Sequence, residues 1–562
     1  MNFDQIDATA ERFAGNGRQP GFAYGIVIDG KLAHVAGLGE RVLGTGQVPD
    51  ADTVFRIASM SKSFTASVIM SLRDEGTLAL TDQVADYVKE LRDWPLVTPD
   101  ARPVAIADLL TMTAGFPTDD PWGDRQQGLP LDEFGALLAG GVGFNWAPGT
   151  RFEYSNLGYA ILGRLITAVT GRPFKDVVRE RFLAPLGMTS TGYEESEFPS
   201  DRLARGYRKA PEGWEELPYD PYGAFAPMGG VFSTVRDLSR WVAGFAAAFP
   251  PGDAVSEHPL SRASRREMQL PRVIIPGGKS DTAAYGYGLF LGEDPSRGRV
   301  VGHSGGYPGF GSNMRWHPAT GIGVIALANG TYANMSILAA QLLTVALKGL
   351  ATRPAVPLAP GQAPWPQTLA AADSVNGLLS DWDDAIADQL FAPNVPLDAP
   401  YPERRAQIAR LRDRLGGSFT PDGDRRPESD TPAHRRWWLT GDRGTAQVQI
   451  QLSPQRPPRV QSLTIAVPPG EGSALDRAME SVVKFINEGG DLPVAADSDV
   501  DRWVRRLRMA AAWAGRVRPG TWRAGDGETT TQADLVGEHA TIQLALAVDP
   551  TGAIRDLTLT GF

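Results

Sequence analysis

Ser59 and Lys62 stand three positions apart in the stretch "RIASMSKSFTA", Arg56 to Ala66. On a helix that spacing puts both side chains on one face, so the lysine nitrogen can reach the hydroxyl oxygen. A lysine accepts a proton only when it is neutral, and burial away from water lowers its pKa toward working pH. The surroundings suit that purpose: they are small and apolar, and no acidic residue falls between Asp52 and Asp74 to hold the charge from the same helix. A serine at a helix start also has free backbone N–H groups beside it for a developing oxyanion. The chemistry these features fit is attack by an activated serine followed by a second acyl transfer. Taken alone, the same pattern also fits a capping serine followed by a surface lysine.

Two further segments give the pair company. "FEYSNLGYAILG" supplies Tyr154-Ser155-Asn156 at a loop-to-helix junction, and "VVGHSGG" supplies His303-Ser304-Gly305 at a strand end. In this order the three segments resemble the motifs Ser-x-x-Lys, Tyr-x-Asn and Lys/His-x-Gly of the serine β-lactamase and penicillin-binding-protein superfamily. The resemblance spans about residues 5 to 350. It is closest to the class C β-lactamase-like branch, which includes D-stereospecific peptidases, esterases and peptide cyclases; "LLTMTAGFP", "PLGMTSTGY" and "GGVFSTVRDLSRW" are similar to connecting segments of that branch.

The resemblance implies Ser59 as nucleophile, Lys62 as its proton acceptor, Tyr154 as the group that passes the proton to the leaving group, and Asn156 as the residue that orients Lys62 and substrate. It implies that His303 donates a hydrogen bond near Tyr154 without a permanent charge, and that the backbone N–H groups of Ser59 and Gly306 form the oxyanion hole. Ser304, Gly305, Trp122 and Tyr222 are expected to contact substrate. Trp122, Trp214, Tyr219, Tyr222 and Phe225 fall in loops expected to roof a cleft, and they equally suit ordinary packing. Departures from the pattern are Met112 and Ala114, where many relatives have His and Ser, and His303 in place of lysine. The last removes a cation that would hold a substrate carboxylate, so penicillin hydrolysis is not the expected activity. The implied function is hydrolysis of amide or ester bonds of short peptides, D-configured ones included, or of small esters. The alternatives are transfer of the acyl group to an amine, as in a cyclase or transpeptidase, and a non-catalytic sensor that is acylated without turning over.

A rival site lies in the same residues. "GHSGG" matches Gly-x-Ser-x-Gly, which would make Ser304 the nucleophile of a strand-to-helix elbow, but Pro308, Gly309 and Gly311 follow it and do not continue a helix. The six histidines include no His-x-x-x-His pair, so neither metal nor another cofactor is expected.

The elements that must position these residues follow from patterning. "FAYGIVIDGKLAHVAGLGE" alternates around Asp29-Gly30, a dipeptide suited to a two-residue hairpin turn. A block of helical patterns runs to about Gly230; strand patterns return from Gly286 to Asn329, and "ANMSILAAQLLTVALKGL" reads as a long apolar helix. Strand pair, helical block, strands and helix describe an α/β fold, which the resemblance specifies as a β-lactamase-like antiparallel sheet flanked by helices with an inserted helical lobe, over residues 1–352. Prolines at 354, 357, 360, 364 and 366 mark a linker over 353–369. The rest reads as a C-terminal α+β accessory region of two related modules, 370–470 and 471–562. "TAQVQIQLSPQRPPRVQSLTI" and "HATIQLALAVDPTGAIRDLTL" each hold two strands around a proline-containing turn, and each follows a helix with Arg-Leu-Arg, at 410–412 and 506–508. These modules are expected to pack together as a unit that shapes the cleft mouth or mediates a homo-oligomer.

Composition excludes other classes. The 562 residues are 42% hydrophobic and 21% charged with a net charge of −10, which disfavours nucleic acid as a partner. Arginines between Arg404 and Arg436 alternate with acids as on a solvated face. Cysteine is absent, so neither disulfides nor thiol nucleophiles enter. No apolar run is long enough to span a bilayer, and the acidic start "MNFDQIDATAERFAG" reads as an amphipathic helix rather than a secretion signal. The expectation is therefore a cytoplasmic protein with a small-molecule or short-peptide substrate and no membrane partner.

Overall fold

The strand Gly21–Ile28 alternates its side chains between two faces, and both faces are buried. Phe22, Tyr24 and Ile26 join one apolar cluster with Ile322, Val324 and Ala326, while Ala23 and Val27 join another with Ile325 and Leu327. A strand buried on both sides must lie between two layers. On the first face those layers are the helices Phe3–Ala14 and Met335–Lys348. The terminal helix buries Ile6, Thr9, Ala10 and Phe13, the spacing of one helical stripe. On the second face lies the helical lobe.

The computed structural model of the protein describes residues 3–15, 19–249, 258–276, 284–294, 298–348, 363–496, 500–538 and 540–560. Among these, the chain divides into two compact units, Met1–Val356 and Pro357–Phe562.

In the first unit eight of the described strands form one antiparallel sheet in the order Lys31–Gly39, Gly21–Ile28, Ile322–Ala328, Phe310–His317, Gly298–Tyr307, Phe290–Asp294, Ala284–Tyr285, Val273–Ile274, and the short pairs Phe55–Arg56 with Phe232–Ser233 and Gly206–Ala210 with Gly213–Leu217 stand apart from it. The first hairpin turns at Asp29 and Gly30, both with positive φ, as that dipeptide predicts. Ile322–Ala328, from the far end of the sequence, pairs with Gly21–Ile28 and closes the sheet around the insertion. The insertion's central helix, Lys62–Asp74, is buried on every side from Lys62 to Leu72. That is why its sequence is small and apolar all round rather than amphipathic. Its serines bond locally, Ser63 to the Met60 carbonyl, Ser67 to that of Ser63 and Ser71 to that of Val68, so the hydroxyls cost little inside a core. Trp241 stacks on Phe64 at 3.9 Å between ring centroids and donates to Ser63 Oγ. Among the described residues no helix is long and apolar enough to cross a membrane.

The second unit holds two antiparallel four-stranded sheets, Phe419–Pro421, His434–Gly441, Gly444–Leu452, Val460–Ala466 and Val517–Ala524, Thr530–Gly537, Thr541–Val548, Ile554–Thr560. Each is larger than the single hairpin legible in the sequence. The two hairpins do match: both carry a register shift at the same place, before Leu452↔Val460 and before Val548↔Ile554. Matched by register, the connecting turn of the second copy is two residues shorter. Leu411 and Leu507, the centres of the two Arg-Leu-Arg triplets, are both buried. The sheets meet where Val467 N–H donates to the Gly525 carbonyl at 3.0 Å, with Arg414 beside Glu528 at 3.1 Å. Of the stretch expected to be a linker, 353–362 lies outside the described residues. Its end is not extended: a helix starts at Pro366 and runs to Ser380, and proline is well suited to that position because the first helical N–H has no partner to lose.

Candidate active site

Ser59 sits in a single turn of 3-10 helix, Ala58–Ser61, that leads into the helix Lys62–Asp74. Ala58, just before it, takes φ of 49°, a conformation that costs a non-glycine residue roughly 1–2 kcal/mol and needs its surroundings to hold it. Those surroundings are tight. Ile57 N–H donates to the Val231 carbonyl, Ser312 Oγ donates to the Ile57 carbonyl, and a Cβ on Gly305 would come within 2.2 Å of that carbonyl oxygen. Only glycine lets the strand Gly298–Tyr307 approach the nucleophile turn so closely.

Lys62 is fully buried, and its Nζ contacts three oxygens: Ser59 Oγ at 2.9 Å, Asn156 Oδ1 at 2.7 Å and the Met228 carbonyl at 2.9 Å. Burial pulls its pKa down to about 8, against the opposing pull of Asp120, Asp124 and Asp119. These three carboxylates correct one expectation. The lysine has no acidic neighbour on its own helix, but the fold brings the segment 119–124 alongside it. Asp119 accepts from the backbone N–H groups of Asn156 and Leu157 at the start of the helix Asn156–Thr170, a favourable place for an anion. Asp120 Oδ1 accepts from Asn156 Nδ2 at 2.8 Å. That bond fixes the amide so that its oxygen faces Lys62. Asp124, almost entirely buried, is raised to about 6, chiefly by desolvation.

The three contacts of Lys62 define what it can do. As an ammonium it donates to all three oxygens. As a neutral amine it keeps two N–H groups and one lone pair, and the amide and peptide oxygens can only accept. Both protons are therefore committed to Asn156 and Met228, and the lone pair is left facing the Ser59 hydroxyl. Tyr154 lies over the same nitrogen, 4.9 Å from Nζ to the ring centroid, with its hydroxyl in hydrogen-bond reach of Ser59. Its pKa is raised well above the usual value, first by burial, so it is a proton-bearing phenol.

His303 is buried and neutral: desolvation, with Lys62 nearby, lowers it to about 3. Its nitrogens are engaged differently from expectation. Nδ1 lies 2.6 Å from the Ser304 carbonyl and Nε2 lies 3.1 Å from the Tyr285 hydroxyl, so the ring donates to the former and accepts from the latter. Its ring centroid is 6.4 Å from that of Tyr154. Phe290 packs beside both, parallel to Tyr154 at 6.2 Å and 4.8 Å from His303 between ring centroids. Neither Phe290 nor Tyr285 was marked by a motif; strand residues rich in aromatics were the only signal.

The remaining expected residues separate. Ser304 is exposed, opposite Asn313, and the chain after it turns at Gly309 into another strand, Phe310–His317, not into the helix an elbow requires. Phe290–Asp294 pairs with the neighbouring strand only as far as Gly302, so among the described residues no strand pairs with His303 to Gly306 on that side. Trp122 is exposed and meets Phe225 edge to face, next to Gly123, whose Cα abuts Asn156. Tyr222 packs against Tyr193 and under the Lys175 ammonium. Met112 does not line a cleft. It is buried, accepts at its sulfur from Ser155 N–H and at its carbonyl from Glu153 N–H, and so supports the loop that carries Tyr154.

Comparison with known proteins bears on the family and the fold. The profile of the family described as Beta-lactamase matches residues 6–347. The D-alanyl-D-alanine-carboxypeptidase/endopeptidase AmpH of Escherichia coli strain K12 is 28% identical over 331 residues, 58% of this chain and 83% of that protein. Protein flp of Staphylococcus aureus strain COL is 27% identical over 329 residues, 58% of this chain and 62% of that one. Among solved structures, the octameric penicillin-binding protein homologue from Pyrococcus abyssi aligns over 100% of both chains with a TM-score of 0.55 and 20% identity. A class C beta-lactamase aligns over 61% of this chain and 95% of its own, with a TM-score of 0.51 and 20% identity. At that identity the two structures speak for the fold.

Proposed function

The chain belongs to the Beta-lactamase family, and from that premise we propose that it is a serine hydrolase acting through an acyl-enzyme on Ser59. The observation that carries the reading is the set of three oxygens around Lys62 Nζ, because it leaves the neutral amine's lone pair facing the Ser59 hydroxyl. In the first step Ser59 Oγ attacks the carbonyl carbon as Lys62 takes its proton. The oxyanion is held by the N–H groups of Ser59 and Gly306. The Tyr154 phenol gives a proton to the departing amine or alcohol and is reprotonated through Lys62. Water, activated by the same pair, then releases the acid and restores the serine.

The substrates that fit are short peptides or amides, D-configured ones included, and small esters. AmpH, a D-alanyl-D-alanine-carboxypeptidase/endopeptidase by name, supports amide hydrolysis in peptides as part of that reading, though not recognition of a free terminal carboxylate. The edge from His303 to Gly306, which no described strand pairs on that side, suits a short stretch of extended backbone. Neutral His303 offers a substrate carboxylate no cation, and Asp119, Asp120 and Asp124 add negative charge around Lys62. Bound penicillin carries a carboxylate, so its turnover is expected to be about a hundredfold or more below that of uncharged esters. A panel of D- and L-amino-acid esters and amides beside benzylpenicillin measures this. Efficient benzylpenicillin hydrolysis without ester activity would reverse the assignment.

The C-terminal unit enters this reading as an accessory. Every residue assigned to the chemistry precedes residue 349, so a chain ending near Ala351 is expected to fold and to be acylated at Ser59. The Pyrococcus abyssi homologue that aligns over the whole chain is octameric, which supports self-association, and this reading places that association at residues 370–562. Sedimentation of the full and shortened chains reads the self-association and a fluorophosphonate probe reads the acylation: loss of labelling in a folded, shortened chain would make the C-terminal unit part of the site.

A further inference from the structure

Tyr332 is half exposed yet held at both ends. Its φ is 50°, one of four positive values among the described non-glycine residues, a backbone state that persists only where neighbours impose it. Its N–H is shared between the carbonyls of Phe310 at 3.1 Å and Tyr307 at 3.3 Å, which ties it to the hairpin after the site strand. Its phenol donates to Asp124 Oδ2 at 2.8 Å, in the helical lobe. Between these anchors the ring lies against Gly306, where a Cβ would come within 2.8 Å of it. Asp124 in turn follows Gly123, whose Cα abuts Asn156. The tyrosine thus forms a bar from the strand that carries Gly306 to the segment 119–124, which carries Asp120, the partner of Asn156.

The position of that bar follows from the acyl-transfer reading, on which this inference rests. A leaving group must lie toward Tyr154, the proton donor, at the His303 end of the edge from His303 to Gly306. The carbonyl oxygen lies at Gly306. The acyl substituent then points the other way, past Gly306, where the ring of Tyr332 stands. We propose that Tyr332, held by Asp124, is a specificity-determining residue that closes the acyl end of the cleft, so that the enzyme takes donors with short acyl groups, acetyl- to alanyl-sized, and excludes long ones. A longer chain has to displace the ring and break the bond to Asp124, and steric or packing differences of one or two methylenes already change kcat/KM by about tenfold or more.

The test is kcat/KM for p-nitrophenyl acetate, butyrate and octanoate with the full chain. The wild type is expected to lose more than about tenfold from acetate to octanoate. Tyr332→Ala should raise the octanoate-to-acetate ratio by about tenfold, and Tyr332→Phe, which keeps the ring and loses the tie, by less. A wild type that prefers octanoate overturns the proposal, as does a ratio unchanged in the variants. If Tyr332→Ala does not fold, the wild-type series and Tyr332→Phe decide. Ser59→Ala run on the same esters separates the two levels: activity that survives in it overturns the acyl-enzyme reading itself, whatever the ratio.

Discussion

Replacement of Ser59 by alanine is expected to abolish turnover, with a loss of several powers of ten in kcat, while leaving the protein folded. The magnitude follows from the lack of a substitute. Ser61 and Ser63 point back to the carbonyls of Ala58 and Met60, and Ser304 is an exposed strand residue opposite Asn313; Lys62 Nζ contacts the hydroxyl of Ser59. The fold should tolerate the change because the Ser59 side chain is partly exposed and caps no helix by a side-chain bond. A surface-accessible hydroxyl of this kind contributes within about 1 kcal/mol to stability. A fluorophosphonate probe should label the wild type on Ser59 and the variant not at all, read by peptide mapping. Label on Ser304 would sink the assignment, and a melting temperature far below wild type would mean that lost activity reports unfolding.

The sequence made some parts of this site legible for physical reasons and hid others for equally physical ones. Ser59 and Lys62 could be paired because helix spacing is local. Tyr154-Ser155-Asn156 and the glycines after His303 could be read because a helix start and a close strand approach restrict residue type. The carboxylates at 119, 120 and 124 are dozens of residues from Lys62 along the chain, and only the fold brings them near it. Tyr332 and Phe290 belong to the same class: each is an ordinary aromatic until the strand order places it at Gly306 or beside Tyr154 and His303. Tyr222 shows the opposite situation, since a loop aromatic near a motif has several neighbours to choose from and this one packs on Tyr193. The four-stranded sheets of the second unit were partly hidden because His434–Gly441 and Val517–Ala524 carry arginines and tryptophans that blur the alternation.

The hidden carboxylates bear directly on the second large effect, the pH dependence of the base. Lys62 must be neutral to accept a proton, and its pKa stands near 8. Below that value the active fraction falls tenfold per pH unit, so kcat/KM should rise with pH to a plateau above about 8. His303, lowered to about 3, and Tyr154, raised far above its usual range, do not change charge across that limb. Because Lys62 and Tyr154 share Ser59, the measured value belongs to the coupled group. Asp120 stabilises the ammonium, so Asp120→Asn should move the limb to lower pH: removing a negative charge makes the lysine easier to deprotonate. Lys62→Arg keeps a cation that does not release its proton in this range, and its activity should fall nearly as far as that of Ser59→Ala at every pH. Tyr154→Phe should lose most of its rate while retaining a limb set by Lys62. Near-wild-type rates with an unmoved acidic limb in Lys62→Arg would assign the proton to another group and leave the buried lysine a structural donor to Asn156 and Met228.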